Sequence, residues 1–555
     1  MSHLSEEDAS GPDRQDQGPC SLASSTHSEV RDINFGNEDK NRSLIECLRK
    51  ECRQKGRGPP EIYQLETVKE NVKGDPMVRR WTFGERDDSK KNRTIVLVGE
   101  TGTGKTTLIN SLVNYFLGVK KEDNIWFEIS DEKEGDPTTS KTTHLTVYEI
   151  FIEQLNISFS ILDTPGFGDT DGLIGDEMIA KRLHTLLSSY DGIYCVDAIG
   201  IVVKSTETVL TDRKHYIYDS VQSLFGKNIK DNIVMFITHA EDMSHIRVFA
   251  TTEKAKVPVP KNEQNQPHHF LYDNFQSDRR QAKQKETYNS KWDLGEKSTH
   301  ELLDHLKGLK TQSLKITEKV LSDRMKLNEN VQDIRKNIAE NKDKLSQLEE
   351  AENDLHELED SQVFRETVTE SYKEKVDIPE GSWWTTYDAT CCPVCEETCH
   401  DECWGISGVK GCKVMENGRC TKCTGLCPSQ QHVKERKKYV WRTRDVLQNN
   451  KEYYKEHKAK SDMKKQKEDE VRVNEEALST FLDEAYKNIT DLKLNALKDG
   501  SAVTYVHVKF LTEIMKETGN TERVGELQQW LQMMEKDETT QKAVRYQDKQ
   551  KALKS

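Results

Sequence analysis

At 555 residues the chain is too long for one ordinary core, and 34% hydrophobic against 32% charged residues implies a globular domain joined to much exposed helix. The net charge of -14 is dispersed, with acidic and basic residues alternating along the second half, so no cationic face marks nucleic acid as a partner. The N-terminus lacks the basic start and apolar run of a secretory signal, and the best apolar stretch, Ile193 to Val203, is short and carries Asp197; the expectation is a cytoplasmic chain with no membrane span.

Residues 1–60 are rich in Ser, Asp, Glu, Gln and Arg with little periodicity and read as a disordered arm. Residues 61–285 read as an α/β domain of the P-loop NTPase class, three layers around a mostly parallel sheet. Its β-branched runs are Thr94 to Val98, Leu145 to Ile152, Ile157 to Leu162, Ile193 to Val196 and Ile233 to Ile237, with an edge element between Tyr63 and Phe83. Residues 286–385 are expected to be helical or coiled coil. Steps of three and four from Val320 give Val320, Arg324, Leu327, Val331, Ile334, Ile338, Asn341, Leu345, Leu348, Glu352 and Leu355, a seam that either associates with a second copy or docks on the same chain. Residues 386–435 form a Cys/His-rich module. Residues 436–555 read as a helical return, completing an antiparallel stalk, followed by a helical hairpin over Val503 to Met534 and a frayed Lys-rich tail.

The segment TIVLVGETGTGKTTLINSL carries the full phosphate-loop spacing from Gly99 to Gly104, Lys105 and Thr106, between an apolar strand and a helix. Gly99, Gly102 and Gly104, with Thr101, Thr103 and Thr107 between and beyond them, let backbone N–H groups wrap a phosphate at the helix N-terminus. Lys105 reaches the β- and γ-phosphates, and the Thr106 hydroxyl is placed to ligate Mg²⁺. Downstream, ISFSILDTPGFGD puts Asp163 at a strand's C-terminal edge, suited to hold the Mg²⁺ through water, and Gly166 where its N–H senses the γ-phosphate.

GETGTGKTTLINSL and LDTPGFGD together resemble the septins and the GTPases of immunity-associated proteins, over about Lys91 to Asp273. The resemblance implies GTP as the bound nucleotide and slow hydrolysis. By it, Ser140-Lys141-Thr142 is similar to the switch that supplies a magnesium-binding threonine, which gives Thr142 a catalytic role beside Lys105, with Thr139 and Thr143 as neighbours. The base-reading loop falls on Thr238, His239, Ala240, Glu241 and Asp242, where the usual reader has Lys second and Asp fourth; either Glu241 or Asp242 supplies the carboxylate. Asn274 is a candidate for a later base-contact loop. Phe167 stands where many small GTPases carry the water-orienting glutamine. Septin-like proteins share this lack and use groups contributed across a dimer, which implies a homodimer or larger oligomer through the G domain and helices.

Nine of the 13 cysteines lie between Cys391 and Cys427. Cys392/Cys395 and Cys420/Cys423 are Cys-x-x-Cys pairs, and Cys399, His400, Cys403, Cys412, Cys427 and His432 complete enough ligands for two tetrahedral zinc sites, sequential or interleaved. Redox-sensing thiols and disulfides are the alternatives. Three functions compete: a GTP-controlled switch or assembly protein, an ATP-dependent enzyme using the same loop, and a zinc-braced helical scaffold in which nucleotide is structural. The sequence names no protein partner.

Overall fold

The computed structural model describes residues 38–130, 142–168, 172–240, 246–277, 280, 284–360, 367–379, 387–404, 408–447, 451–519 and 521–554. The first elements are α1 (Glu38–Glu51), β1 (Arg53–Gly56), β2 (Glu61–Gln64), β3 (Val68–Asn71), β4 (Val78–Phe83), β5 (Lys91–Gly99), α2 (Lys105–Phe116) and β6 (Ile125–Glu128). Then come β7 (Leu145–Ile150), β8 (Ile157–Asp163), α3 (Gly172–Ser188), β9 (Cys195–Val196), β10 (Ala198–Lys204), α4 (Asp212–Ser223), β11 (Ile233–Thr238), α5 (Ile246–Lys254), β12 (His269–Leu271), α6 (Lys285–Gly308) and β13 (Gln312–Ser313). The remainder is α7 (Lys315–Asp360), β14 (Thr367–Asp377), β15 (Asp388–Cys392), β16 (Glu397–Cys403), β17 (Met415–Glu416), β18 (Arg419–Cys420), β19 (Val433–Glu435), β20 (Lys437–Leu447), α8 (Lys451–Asn495), α9 (Ala502–Glu517), α10 (Thr521–Lys536) and α11 (Glu538–Lys554). Two compact units divide the chain: one runs to Leu321 and takes back Asn495–Lys498 and Arg545–Ser555, and the other holds Ser322–Leu494 and Asp499–Val544.

The first unit is built on an eight-stranded sheet in the order β12-β11-β10-β5-β8-β7-β4-β3. Pairing is parallel except at β7/β8 and β3/β4, the mostly parallel sheet of a P-loop GTPase-like fold. Strands covered on both faces are expected to be continuously apolar, and every residue of β8 and β11 is buried. Ile95 and Leu97 of β5 join Leu108, Ile109 and Leu112 of α2 and Trp292, Leu302 and Leu306 of α6 in one core cluster, whereas α3 lies against β4 and β7, and α4 against β5. Asp197, the charge that interrupts the apolar run, is buried and paired with Arg93 at 2.7 Å while accepting from the Thr94 N–H. Among the described residues no helix is long and apolar enough to cross a membrane.

Four expectations need correction. The stretch 38–60 is not a featureless arm: α1 buries Ile45 and Leu48, and β1 pairs with β2, which in turn pairs in parallel with β6. Its polar face hid a short amphipathic stripe. The run expected as a sheet strand at Ile193 to Val196 keeps only the short β9, which pairs with β13, and the strand of the main sheet is Ala198–Lys204, which starts just past Asp197. In the second unit, residues 367–377 and 437–447 are not helix but an eleven-residue antiparallel ribbon, β14 with β20. Charges occupy both faces of that ribbon, the Glu374–Arg442 and Glu370–Arg444 pairs on one and Lys373, Lys375 and Asp445 on the other, so the apolar period of two that signals a strand is missing. The expected frayed tail is α11, which buries Ala543 and Val544 in the second unit. In the first unit, Tyr546 sets its ring 5.2 Å from that of Tyr216.

Within the second unit α7 and α8 run antiparallel. Asn337 and Lys344 bond to Asn474, Lys467 to Gln347, and Lys464 to Glu352, so partners descend α8 as they ascend α7. Arg324 bonds to Ser501 and Thr504, and Arg335 lies over the Phe510 ring of α9. The buried seam residues Leu327, Val331, Ile334 and Leu348 are thus docked within the chain.

Candidate functional site

The phosphate loop leaves β5 at Gly99 and enters α2 at Lys105. Two of its glycines are sterically required. Gly99 has φ of 152°, and a Cβ there would stand 2.5 Å from the Val202 carbonyl oxygen; Gly104, the helix N-cap, has φ of 85°. The loop closes on itself through Thr103, whose hydroxyl donates to the Glu100 carbonyl at 2.9 Å. Lys105 is buried and its ammonium donates to the Gly99 and Glu100 carbonyls at 3.3 and 3.1 Å, placing its charge over the loop. Gly102 and Thr107 are exposed on the rim, and Thr101 is half-buried.

Three oxygen-bearing side chains expected from separate motifs meet at one point. The Thr106 hydroxyl donates to Asp163 Oδ2 at 2.6 Å and lies 3.1 Å from the Thr142 hydroxyl. Two hydroxyls and a buried carboxylate are hard donors of the kind Mg²⁺ takes, so the residues fit that ion. Thr143 faces elsewhere, its hydroxyl 2.9 Å from His144 Nδ1. Thr139 lies outside the described residues. Gly166 packs on the phosphate loop so closely that a Cβ would stand 2.3 Å from Thr101 Cα, and the next residue exchanges backbone bonds with the loop: Phe167 N–H to Gly99 at 3.1 Å, Thr101 N–H to Phe167 at 3.3 Å. The Phe167 ring is 1% exposed, so it packs into the core and cannot orient water.

On the base side, Thr238 ends β11 and its hydroxyl donates to the Thr103 carbonyl at 2.7 Å, tying the base loop to the phosphate loop. His239 follows with φ of 51°. Burial first, then the charge of Lys204, holds its imidazole below the ordinary histidine value and therefore neutral at pH 7. Glu241 and Asp242 lie outside the described residues.

Motif reading undervalued or missed three residues. Asn274, just past β12, is buried beside Gly104; its Oδ1 accepts from Ser111 at 3.0 Å and its Nδ2 has no hydrogen-bond partner among the described residues. Arg213, in the first turn of α4, bonds Glu100 of the phosphate loop at 2.8 Å and the Gly168 carbonyl at 2.8 Å. Lys204 ends β10 with its ammonium 3.9 Å from the Cβ position of Gly102. The usable signal was topological, since ligands gather at the C-terminal ends of parallel strands, and Lys204 and Asn274 both stand there.

The cysteine module sorts into three groups whose ligand atoms lie within 4.8 Å of one another: Cys392, Cys395, Cys423 and Cys427; Cys399, Cys420, Cys423 and His432; and His400, Cys403 and Cys412. Cys391 stands apart, its thiol on the Lys437 carbonyl at 3.2 Å. All nine cysteines are free of disulfides.

Fold and site together define a P-loop GTPase-like domain. Residues 93–286 match the AIG1 family model, so the chain carries an AIG1 family domain there, in line with the resemblance to immunity-associated GTPases. Immune-associated nucleotide-binding protein 7 of Arabidopsis thaliana is 28% identical over 151 residues, 27% of this chain and 42% of the relative. Immune-associated nucleotide-binding protein 9 of the same plant is 26% identical over 171 residues, 31% and 43% respectively. The chain thus spans about two fifths of the length of these relatives. Among solved structures, Toc33 from Arabidopsis thaliana in complex with Mg²⁺ and GMPPNP aligns at a TM-score of 0.24 and 14% identity, over 37% of this chain and 85% of that chain.

Proposed function

We propose that this chain binds GTP with Mg²⁺ and hydrolyses it slowly, acting as a nucleotide-controlled switch or assembly protein. The observation that carries the reading is the convergence of Thr106, Thr142 and Asp163 in front of the phosphate loop. Those three residues would hold a magnesium ion, Asp163 through water, and the ion would supply charge neutralisation on the β- and γ-phosphates. Lys105 leaves the loop carbonyls for the phosphates, Thr142 and the Gly166 N–H sense the γ-phosphate, and the carboxylate of Glu241 or Asp242 reads the guanine N–H groups beside His239 and Asn274. With Phe167 turned into the core, no side chain at that position orients water, so hydrolysis is slow until a second copy completes the site.

Equilibrium binding of labelled GTP in competition with ATP tests the nucleotide assignment. GTP wins, and Lys105→Ala weakens binding by roughly 100-fold, the scale of losing a buried charge-assisted contact to an anion. Equal affinity of mutant and wild type removes the phosphate-loop assignment, while equal competition by ATP turns the site toward the ATP-dependent reading. Light scattering tests the switch: a non-hydrolysable GTP analogue raises the mass above that with GDP, and Thr142→Ala removes the difference while sparing GDP binding. The same mass in every nucleotide state rejects assembly control.

A further inference from the structure

Beside a small apolar cluster of Ile378, Ala389 and Cys391, the cysteine module has a second buried cluster that is almost all sulfur. That cluster is Cys392, Cys399, Cys403, Cys412, Val414, Cys420, Cys423 and Cys427, a set with one valine for hydrocarbon. Such thiols are not poised as disulfides, since Cys395 and Cys427 approach only to 3.5 Å, far beyond a sulfur–sulfur bond of about 2.05 Å. They are at the right separation for a shared tetrahedral ion, in which zinc–sulfur bonds of about 2.3 Å put ligands roughly 3.8 Å apart.

The backbone is arranged for thiolates. Lys422 and Cys423 N–H groups point at Cys420 Sγ at 3.3 and 3.4 Å, Gly425 N–H at Cys395 Sγ at 3.2 Å, and Cys427 N–H at Cys423 Sγ at 3.3 Å. Donors aimed at sulfur favour its charged form, the form that binds metal. Gly425 is needed for this approach, because a Cβ there would stand 2.9 Å from Cys427 Sγ and 3.1 Å from Cys395 Sγ. His432 adds an independent sign. It is 4% exposed, its Nδ1 lies 3.0 Å from the Pro428 carbonyl, and its Nε2 has no hydrogen-bond partner among the described residues although it belongs to the second group. An Nδ1–H held on a carbonyl leaves the Nε2 lone pair for a metal.

Cys423 belongs to both four-ligand groups, so neither is complete without it. We propose that the module holds three zinc-class divalent ions, two bridged by the Cys423 thiolate and a third on His400, Cys403 and Cys412. The bridged pair takes six thiolates and one imidazole. The ligands interleave, since the first pair, Cys392 and Cys395, is completed by Cys423 and Cys427 from the far end of the module. His400 Nδ1 and Cys412 Sγ are 3.1 Å apart, and that site has three protein ligands among the described residues, which makes its ion the most exchangeable.

Elemental analysis and native mass spectrometry of the full chain purified without added metal test this, with cadmium-113 exchange as the second readout. Three zinc ions per chain are expected, and the cadmium form shows three resonances, two of them mutually split through the bridging sulfur. His400→Ala loses one ion and keeps the split pair; Cys423→Ser abolishes the splitting. Two or fewer ions in the wild type, three unsplit cadmium resonances, or iron in place of zinc overturns the proposal.

Discussion

The sheet that carries the phosphate loop is held by Trp126, Trp292, Phe116 and Phe159 at its core, whereas the cysteine module buries a sulfur cluster and one small apolar cluster of Ile378, Ala389 and Cys391. The first region needs no ion to fold, since burying each large side chain contributes about 1.5–3 kcal/mol and the cluster holds dozens. Its ligand-binding groups can therefore gather at the C-terminal ends of the strands and be left to respond to nucleotide. The cysteine module buries far fewer apolar side chains, chiefly Ile378, Ala389 and Val414. There the candidate metal-binding sulfurs and the core are the same atoms, so under the proposed three-ion arrangement metal would be a condition of structure and not a signal.

That contrast breaks most easily at the metal. A zinc-selective chelator, with Mg²⁺ kept in excess, is expected to dismantle residues 387–447, removing a contribution on the order of 10–16 kcal/mol of apparent metal-binding free energy. With Mg²⁺ still present, labelled GTP binding in the same sample should be preserved. Limited proteolysis and circular dichroism follow the module, and a parallel collapse of nucleotide affinity would show that the two regions share one stability.

Next come two buried ion pairs, one taken from each unit. Lys375 and Glu435 are paired at 2% and 5% side-chain exposure, and Arg93 and Asp197 at 6% and 1%. Glu435→Gln and Asp197→Asn each leave a buried cation without its counter-charge, which costs about 3–5 kcal/mol. Chemical denaturation should show this loss in the respective unit. A loss below 1 kcal/mol at either site would mean that water reaches the remaining charge.

Glycine substitutions of opposite sign sharpen the comparison further. Gly166→Ala forces a Cβ against the Thr101 backbone and should destabilise the first unit by roughly 1–3 kcal/mol while weakening nucleotide binding. Gly525→Ala meets nothing within 4 Å on α10 and should stabilise the second unit by about 0.5–1 kcal/mol. Thermal denaturation reads both, and a neutral Gly166→Ala would mean that the loop and the Asp163-Thr164-Pro165-Gly166 turn are not packed together.

The smallest expected effect is in pH. Burial, then neighbouring His268, holds the His305 imidazole down to about 4 from an ordinary 6.5. A depressed histidine favours the neutral folded form, so its contribution is complete above pH 6.5 and is lost as pH falls toward 4. His305 is part-exposed, so the slope is modest. Hydrogen exchange of α6 between pH 6.5 and 4 should accelerate beyond its intrinsic pH trend, and His305→Asn should flatten that excess.

The sequence by itself determined the phosphate loop, the Asp163–Gly166 turn and the paired cysteines, because each depends on local geometry: a strand, a tight turn and a helix start within a few residues. It did not determine which atoms meet. Thr142 reaches Thr106 across 36 residues, and Asn274 reaches Ser111 across 163, contacts set only by strand order in the sheet. Nor could spacing show that Cys423 belongs to two ligand groups, since that follows from folding the far end of the module back onto its beginning. The polar ribbon of β14 and β20 stayed hidden for a related reason. Its stability comes from cross-strand pairing between segments about seventy residues apart, and neither segment alone carries an apolar face to declare it.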